Sequence, residues 1–220
     1  MVAVILCIET TTTNCSVALI RDGVVVALRE DNSKTYSHAE KLHVFVDEVL
    51  SESETSKNQI DAVAVSKGPG SYTGLRIGVS AAKGLCYALD IPLISISTLT
   101  ALSFQIENPD GYIIPMIDAR RMEVFTAVFD ENFKQLTPVE ALILNENSFE
   151  DYLSKDKVYF LGNANEKFKS ICKHPHAIFI ENKLPSAIQM GVLAEEAYKK
   201  SDFENVAYFE PYYLKDFISG

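Results

Sequence analysis

The segment Ser66-Lys67-Gly68-Pro69-Gly70-Ser71-Tyr72-Thr73-Gly74-Leu75-Arg76-Ile77-Gly78 limits the folds open to this chain more than any other stretch. It follows an apolar, strand-like run at 60–65 and leads into a helical pattern at 73–89. Glycines and a proline at a strand-to-helix turn let backbone N–H groups crowd together at a helix N-terminus. Such a turn can hold an anion or another tightly packed backbone. It is not a Walker A loop, because no Lys-Ser/Thr pair follows the glycines, and the third glycine is out of register for a dinucleotide G-x-G-x-x-G. A purely structural turn is the competing reading, since Gly and Pro punctuate turns of every kind.

A chain of 220 residues predicts two compact lobes. With 47% hydrophobic and 23% charged residues, it can bury a core of ordinary size. Lys and Arg number 20 against 30 Asp and Glu, a net charge of −10 that disfavours binding nucleic acid unaided. The nearest basic groupings, Arg120-Arg121 and Lys199-Lys200, read as solvated surface. Cys7, Cys15, Cys86 and Cys172 form no C-x-x-C pair and sit in apolar runs, as buried free thiols of a reducing compartment do. The apolar start at 1–8 is too short for a membrane span and lacks the basic flank and cleavage site of a signal peptide. A cytoplasmic protein with no membrane contact is the expectation.

Strands are predicted at 2–9, 16–21 and 24–29, the last two joined by the hairpin dipeptide Asp22-Gly23. A hydroxyl-rich turn, Thr10-Thr11-Thr12-Thr13-Asn14, separates the first two. Ser37-His38-Ala39-Glu40 matches a capping box and predicts a helix start. On that helix Leu42, Phe45, Val46 and Val49 share one face, while Val44 falls among Glu40 and Asp47 on the other. Strand 60–66, helix 73–89, strand 92–97 and helix 98–106 follow. Three antiparallel strands followed by alternating helices and parallel strands make the half-unit of actin-like and ribonuclease H-like α/β folds.

Asn108-Pro109-Asp110-Gly111 reads as the linker. It divides the chain into an N-terminal lobe, 1–107, and a smaller α/β lobe, 108–220. The second lobe is predicted to hold strands at 112–118, 123–129, 158–161 and 177–180 and helices at 164–171 and 186–199. On the 73–89 helix, Gly74, Gly78, Ala81, Ala82, Leu85 and Ala88 share a narrow face that packs either on its own sheet or on a partner helix. Arg76, Ser80, Lys83 and Tyr87 lie opposite. If the glycine loop and hydroxyl turn hold a nucleotide or phosphate, Thr10, Thr11, Asn14, Gly68, Gly70, Ser71, Thr73 and Gly74 are the residues that line it.

Segments 5–19, 37–50 and 62–98 together resemble the TsaB (YeaZ) family of tRNA threonylcarbamoyladenosine biosynthesis subunits. Met116-Ile117-Asp118-Ala119-Arg120 and the tail Pro211-Tyr212-Tyr213-Leu214 extend the resemblance. The G-P-G-S-Y-T-G-L-R-I-G string is its most specific part. The resemblance implies an actin-like (ASKHA-type) fold with mixed sheets flanked by helices. It also implies a role in tRNA modification and assembly with the catalytic paralogue TsaD and the ATPase TsaE. The catalytic paralogue carries a metal-holding His-x-x-x-His pair after the strand that here ends in Ser95-Ile96. Thr98 and Leu102 occupy those two positions, and Leu cannot ligate a metal. Glu9 stands where many members have Asp.

The resemblance therefore implies a scaffold with no catalytic centre, metal or cofactor of its own, ATP and a divalent metal acting in the partner subunits. TsaD is expected to meet it across Leu42, Val44, Phe45, Arg76, Gly78 and Ala82. Alone, the chain is expected to pair as a homodimer, and to reach tRNA only through the complex. Three enzyme readings compete. A weak ATP-binding or kinase-like protein of the same fold would use the glycine loop. A glycoprotease-like metalloenzyme lacks H-E-x-x-H, and His38 and His43 lie about 140° apart on a helix; His174-Pro175-His176 reads as surface. A thiol hydrolase would need Cys15 beside His38. Tyr36, Tyr72 and Tyr87 read as half-buried packing residues rather than base-stacking platforms. Asp118 and Arg120 read as an internal ion pair or a site pair on one strand face.

Overall fold

The computed structural model describes residues 2–33 and 37–215. The chain divides into two units, one of Met1–Thr98 with Pro185–Gly220 and one of Leu99–Leu184. In the first, β1 (Val4–Glu9), β2 (Cys15–Arg21) and β3 (Val24–Asp31) pair antiparallel, and β4 (Ala62–Gly68) and β5 (Leu93–Ser97) add in parallel beyond β1. The strand order is β3-β2-β1-β4-β5. Asp22 and Gly23 turn the β2–β3 hairpin with φ of 53° and 73°, the left-handed pair that a two-residue hairpin loop requires.

Alternation along the strands gives this sheet two apolar faces. Leu6, Ile8, Val17, Leu19, Val63 and Val65 pack against Leu42, Val46 and Val49 of α1 (His38–Glu52) and Val79, Ala82 and Cys86 of α2 (Tyr72–Leu89). The other face receives α6 (Ala187–Lys199), whose Gly191 has no room for a Cβ beside Ile20. Ser37 precedes α1 as expected, but its side chain caps no helix N–H and the capping box does not form; its hydroxyl donates to the Asp31 carboxylate at 2.5 Å.

The second unit holds β6 (Tyr112–Asp118), β7 (Glu123–Thr126) and β8 (Glu140–Ile143), antiparallel, with β9 (Val158–Leu161) and β10 (Ala177–Ile180) parallel beyond β6. Its order, β10-β9-β6-β7-β8, follows the same path as the first sheet. A topological repeat that the sequence does not display is therefore present. Phe160 of β9 and Phe168 of α5 (Asn165–Ile171) sit edge to face in its core, together with Leu153 of α4 (Glu150–Leu153). Together these elements form the actin-like α/β class predicted from element order.

The expected boundary at 107/108 is corrected. The chain leaves the first unit at Thr98/Leu99, at the start of α3 (Thr98–Ser103), and returns at Leu184/Pro185, so 185–215 belongs with the N-terminal sheet. Asn108–Gly111 is a turn inside the second unit rather than a linker. Tyr112 N–H donates to the Lys157 carbonyl at 2.9 Å, and Asp110 pairs with Lys157 at 2.6 Å.

The small residues of α2 are also redistributed. Gly74, Gly78 and Ala82 are buried in their own unit, whereas Ser80, Gly84 and Ala88 form an exposed row on the other side. Two glycines of one helix should then respond to alanine with opposite signs. A Cβ on Gly74 would overlap the Thr10 carbonyl oxygen, while Gly84 has nothing within 4 Å. We expect Gly74→Ala to cost about 2–3 kcal/mol and lower Tm by roughly 5–10 °C. Gly84→Ala should add close to 1 kcal/mol of helix propensity and raise Tm by roughly 2–4 °C. Thermal melts of the two variants check both signs.

Candidate functional site

The glycine loop begins where β4 ends. Gly68 has φ of 110°, a conformation open to glycine, and an added Cβ would lie 2.9 Å from the Tyr212 carbonyl. At Gly70 a Cβ would come within 2.6 Å of both the carbonyl oxygen and the Cβ of Thr11. Ser71 caps α2, its hydroxyl accepting from Gly74 N–H at 3.3 Å, and its own N–H donates to the Thr11 carbonyl at 2.7 Å. Thr10 Oγ1 donates to the Gly74 carbonyl at 2.8 Å, and that hydroxyl fills the space beside Gly78.

The hydroxyl turn and the glycine loop are therefore packed on each other. Thr10, Thr11 and Asn14 are buried, as are Gly68 and Gly74; Gly70 and Ser71 are half-buried, and of the eight candidate loop residues only Thr73 is exposed. Asn14 is turned to other work, donating to Glu30 at 3.1 Å and to the Pro185 carbonyl at 3.0 Å, where the chain re-enters the unit. The structure gives these residues a packing role in place of the open anion cradle that the pattern allows.

The candidate contact residues separate by burial. Leu42, Gly78 and Ala82 face their own core and leave the set, because none of them can reach a partner. Val44 is 51% exposed, Arg76 is exposed and Phe45 is half-buried. Tyr87, expected to be half-buried, is 85% exposed beside Gly84 and Ala88. Tyr72 is half-buried with its ring 5.0 Å from that of Tyr213, and Tyr36 lies outside the described residues. Sequence reasoning passed over Gly84, although an isolated glycine inside a helical pattern is a signal in itself.

The residues of the rival chemistries are dispersed. His38 is buried with Nε2 2.7 Å from the Thr12 carbonyl, while His43 is exposed. His176 Nδ1 lies 2.9 Å from the Leu153 carbonyl, in the second unit. Among the described residues no three His, Cys, Asp or Glu side chains gather as a metal site. All four cysteines are free and buried, and burial pushes the Cys15 thiol up to about 11, the reverse of an activated nucleophile. Thr98 and Leu102 are fully buried. The Asp118–Arg120 ion pair is also corrected: Asp118 pairs with Lys167 at 2.8 Å and accepts the backbone N–H of Arg120, which lies in the turn with φ of 72°.

Glu9, at the end of β1, is the one fully buried carboxyl of the joint. One oxygen accepts from the N–H of Thr11 at 2.6 Å and its hydroxyl at 2.5 Å; the other meets the Ser66 hydroxyl of β4. Burial pushes its pKa up, against the opposing pull of those donors. A carboxyl with a raised folded pKa stabilises the fold most when protonated. Its contribution is full below the unfolded value of about 4.3 and is lost as pH rises toward the folded value. Glutamine can keep both contacts, with its carbonyl toward Thr11 and its amide toward Ser66. We expect Glu9→Gln to gain stability on the wild type as pH rises from 5 to 8. Glu9→Ala should cost about 1–3 kcal/mol by stranding the Thr11 and Ser66 donors. Denaturant midpoints across that pH range measure both.

The family model described as TsaD, tRNA N6-adenosine threonylcarbamoyltransferase, matches residues 32–218. Curated relatives named tRNA threonylcarbamoyladenosine biosynthesis protein TsaB include that of Escherichia coli, 32% identical over 98% of this chain and 96% of its own. That of Bacillus subtilis is 33% identical over 76% of this chain and 74% of its own. In Haemophilus influenzae the identity is 28% over 98% and 94%. A solved Pseudomonas aeruginosa structure, described as an uncharacterized protein with similarity to peptidase YEAZ, superposes with a TM-score of 0.85. It is 22% identical, covering 97% of this chain and all of its own, and so shares the fold. With its glycine string, its fold and these relatives in agreement, the chain belongs to the TsaB (YeaZ) family, within the wider group that the TsaD model describes.

Proposed function

We propose that this chain is a non-catalytic scaffold in tRNA threonylcarbamoyladenosine synthesis, presenting α1 and the outer face of α2 to the catalytic relative TsaD. TsaE joins the same assembly, and ATP and a divalent metal act in those partners rather than in this chain. The observation that carries the reading is the exposed side of α2. Ser80, Gly84 and Ala88 lie outward in one row, and a Cβ added at Gly84 would meet nothing within 4 Å. A glycine in a helix interior costs close to 1 kcal/mol and here fulfils no internal packing need. A row of small residues beside Tyr87 on α2, with Val44 exposed and Phe45 half-buried on α1, lets a second helix pair approach closely. A homologous partner offers a similar patch, so the chain alone can pair this face with itself about a two-fold axis.

Support for the absence of catalysis comes from Thr98 and Leu102, at the positions where the family resemblance puts the metal-binding histidines of TsaD. The filled joint between the hydroxyl turn and the glycine loop favours this reading over a nucleotide-dependent kinase. No helix among the described residues is long and apolar enough to cross a membrane, which agrees with a cytoplasmic role.

Val44→Asp tests the face. The substitution is on the surface and should alter folding stability by less than about 0.5 kcal/mol. It places a charge in a desolvated contact, which should cost about 2–5 kcal/mol of association. Light scattering and TsaD titration should then show the variant monomeric and binding at least about 30-fold more weakly; unchanged association would move the partner elsewhere.

The purified chain, given threonylcarbamoyl-adenylate and unmodified tRNA, should transfer nothing with any divalent metal. With a net charge of −10 it should bind tRNA no better than about 10⁻⁴ M at physiological salt. Turnover without TsaD, or a micromolar dissociation constant in a fluorescence titration, contradicts the scaffold reading.

A further inference from the structure

The C-terminal segment 203–215 runs back over the first unit without forming a helix or strand of its own. Glu204 N–H donates to the Leu93 carbonyl at 2.8 Å and its carboxylate accepts from Ser95 at 2.6 Å, fixing the segment to the open edge of β5. Asn205 then organises one turn. Its side-chain oxygen accepts from the N–H groups of Ala207 and Tyr208, and its carbonyl from that of Phe209. Lys83 of α2 closes the turn, its ammonium donating to the Ala207 carbonyl at 3.2 Å and the Phe209 carbonyl at 2.8 Å. Farther on, Tyr212 N–H donates to the Lys67 carbonyl at 2.7 Å, and the Tyr213 ring lies against Tyr72.

The segment thus grips α2 at two places, Tyr72 in its first turn and Lys83 in its second half. At the glycine loop its Tyr212 carbonyl lies 2.9 Å from where a Cβ on Gly68 would be. None of residues 201–215 is buried; Val206 and Phe209 pack, half-buried, against the core. A segment held mainly by hydrogen bonds and two partly buried side chains opens before the sheet beneath it. Its seam with α2 is an open groove of about 640 Å³ lined by Lys83, Gly84, Tyr87, Asn205, Val206 and Ala207. That seam is continuous with the exposed row Ser80, Gly84 and Ala88. At the other end Tyr72 lies beneath Arg76, whose guanidinium is 5.5 Å from the ring.

We propose that segment 203–215 is a brace. Closed on Lys83 and Tyr72, it sets the outer face of α2 for its partner, and the partner in turn holds it closed. The inference rests on the assembly reading above. Brace closure and partner binding favour one another by the same factor, as linkage requires. Lys83 and Tyr213 are positioning residues in this scheme.

The test uses the full-length chain with Lys83→Met, which keeps the stem and removes the donors, and Tyr213→Ala at the far end, away from the groove. Lys83→Arg retains donors and serves as the conservative control. Amide hydrogen exchange of 203–215 and titration with TsaD are measured side by side. Both variants should speed exchange of the segment and weaken TsaD binding about tenfold, within the usual range of coupling, with Tm close to the wild type and Lys83→Arg close to normal. Saturating TsaD should slow the wild-type segment's exchange by a similar factor. Faster exchange with unchanged affinity overturns the brace, and so does unchanged exchange in both variants. If Val44→Asp abolishes binding while both brace variants bind normally, the inference falls alone. If the wild type does not bind TsaD, the assembly reading and the brace fall together.

Discussion

The contact on which this unit depends is the close approach of the Thr10–Thr11 backbone to the glycines of α2. The carbonyls of Thr10 and Thr11 occupy the space that side chains at Gly74 and Gly70 would need, and Ser71 N–H and Thr10 Oγ1 hydrogen-bond across the joint. Glu9 ties the same turn to Ser66 from below. These bonds are buried, so each donor left without its acceptor would carry a desolvation cost. The consequence is mechanical: the end of β1, the end of β4 and the first two turns of α2 move as one piece.

A rigid helix root gives α2 two distinct sides. Its inner row, Gly74, Gly78 and Ala82, uses smallness to approach the sheet and its turn. The outer row, Ser80, Gly84 and Ala88, is small with no demand from within the chain. Thr10 and Thr11 fill the glycine loop and leave the surrounding frame intact. The proposed scaffold role needs that frame and little else. Fold alone does not assign a role; the proposal rests on the family and on the face that α2 leaves uncovered.

Much of the first unit is legible from sequence because strong local signals agree. Asp22-Gly23 fixes the hairpin, and the apolar runs of β1, β2 and β4 mark strands buried on both faces. The Ser37–Asp31 hydrogen bond is not legible, because side-chain partners brought by tertiary folding are invisible to a local pattern. The edge strand β8, Glu140–Ile143, is short and has no buried residue, so no alternation announces it. The return of α6 and 185–215 to the first sheet depends on Asn14, Ser16 and Glu30 meeting 185–187, contacts that span more than 150 residues. For the site, the glycine string identifies the place but not which backbone fills it. Burial puts Val44 and Arg76 outside and Leu42, Gly78 and Ala82 inside, the sides to which periodicity assigned them.

The central claim is that the glycine string is a packed joint between backbones rather than a phosphate cradle. The direct measurement is a titration of the purified chain with ATP and Mg²⁺, followed through the backbone amide signals of 66–76. With Thr10 and Thr11 seated in the loop, the account predicts no saturable shift of the Gly70, Ser71 and Gly74 amides up to about 1 mM nucleotide, the weak end of the affinity scale. Saturable shifts confined to those amides at lower concentration would mean that the joint opens to hold a phosphate, and would contradict it.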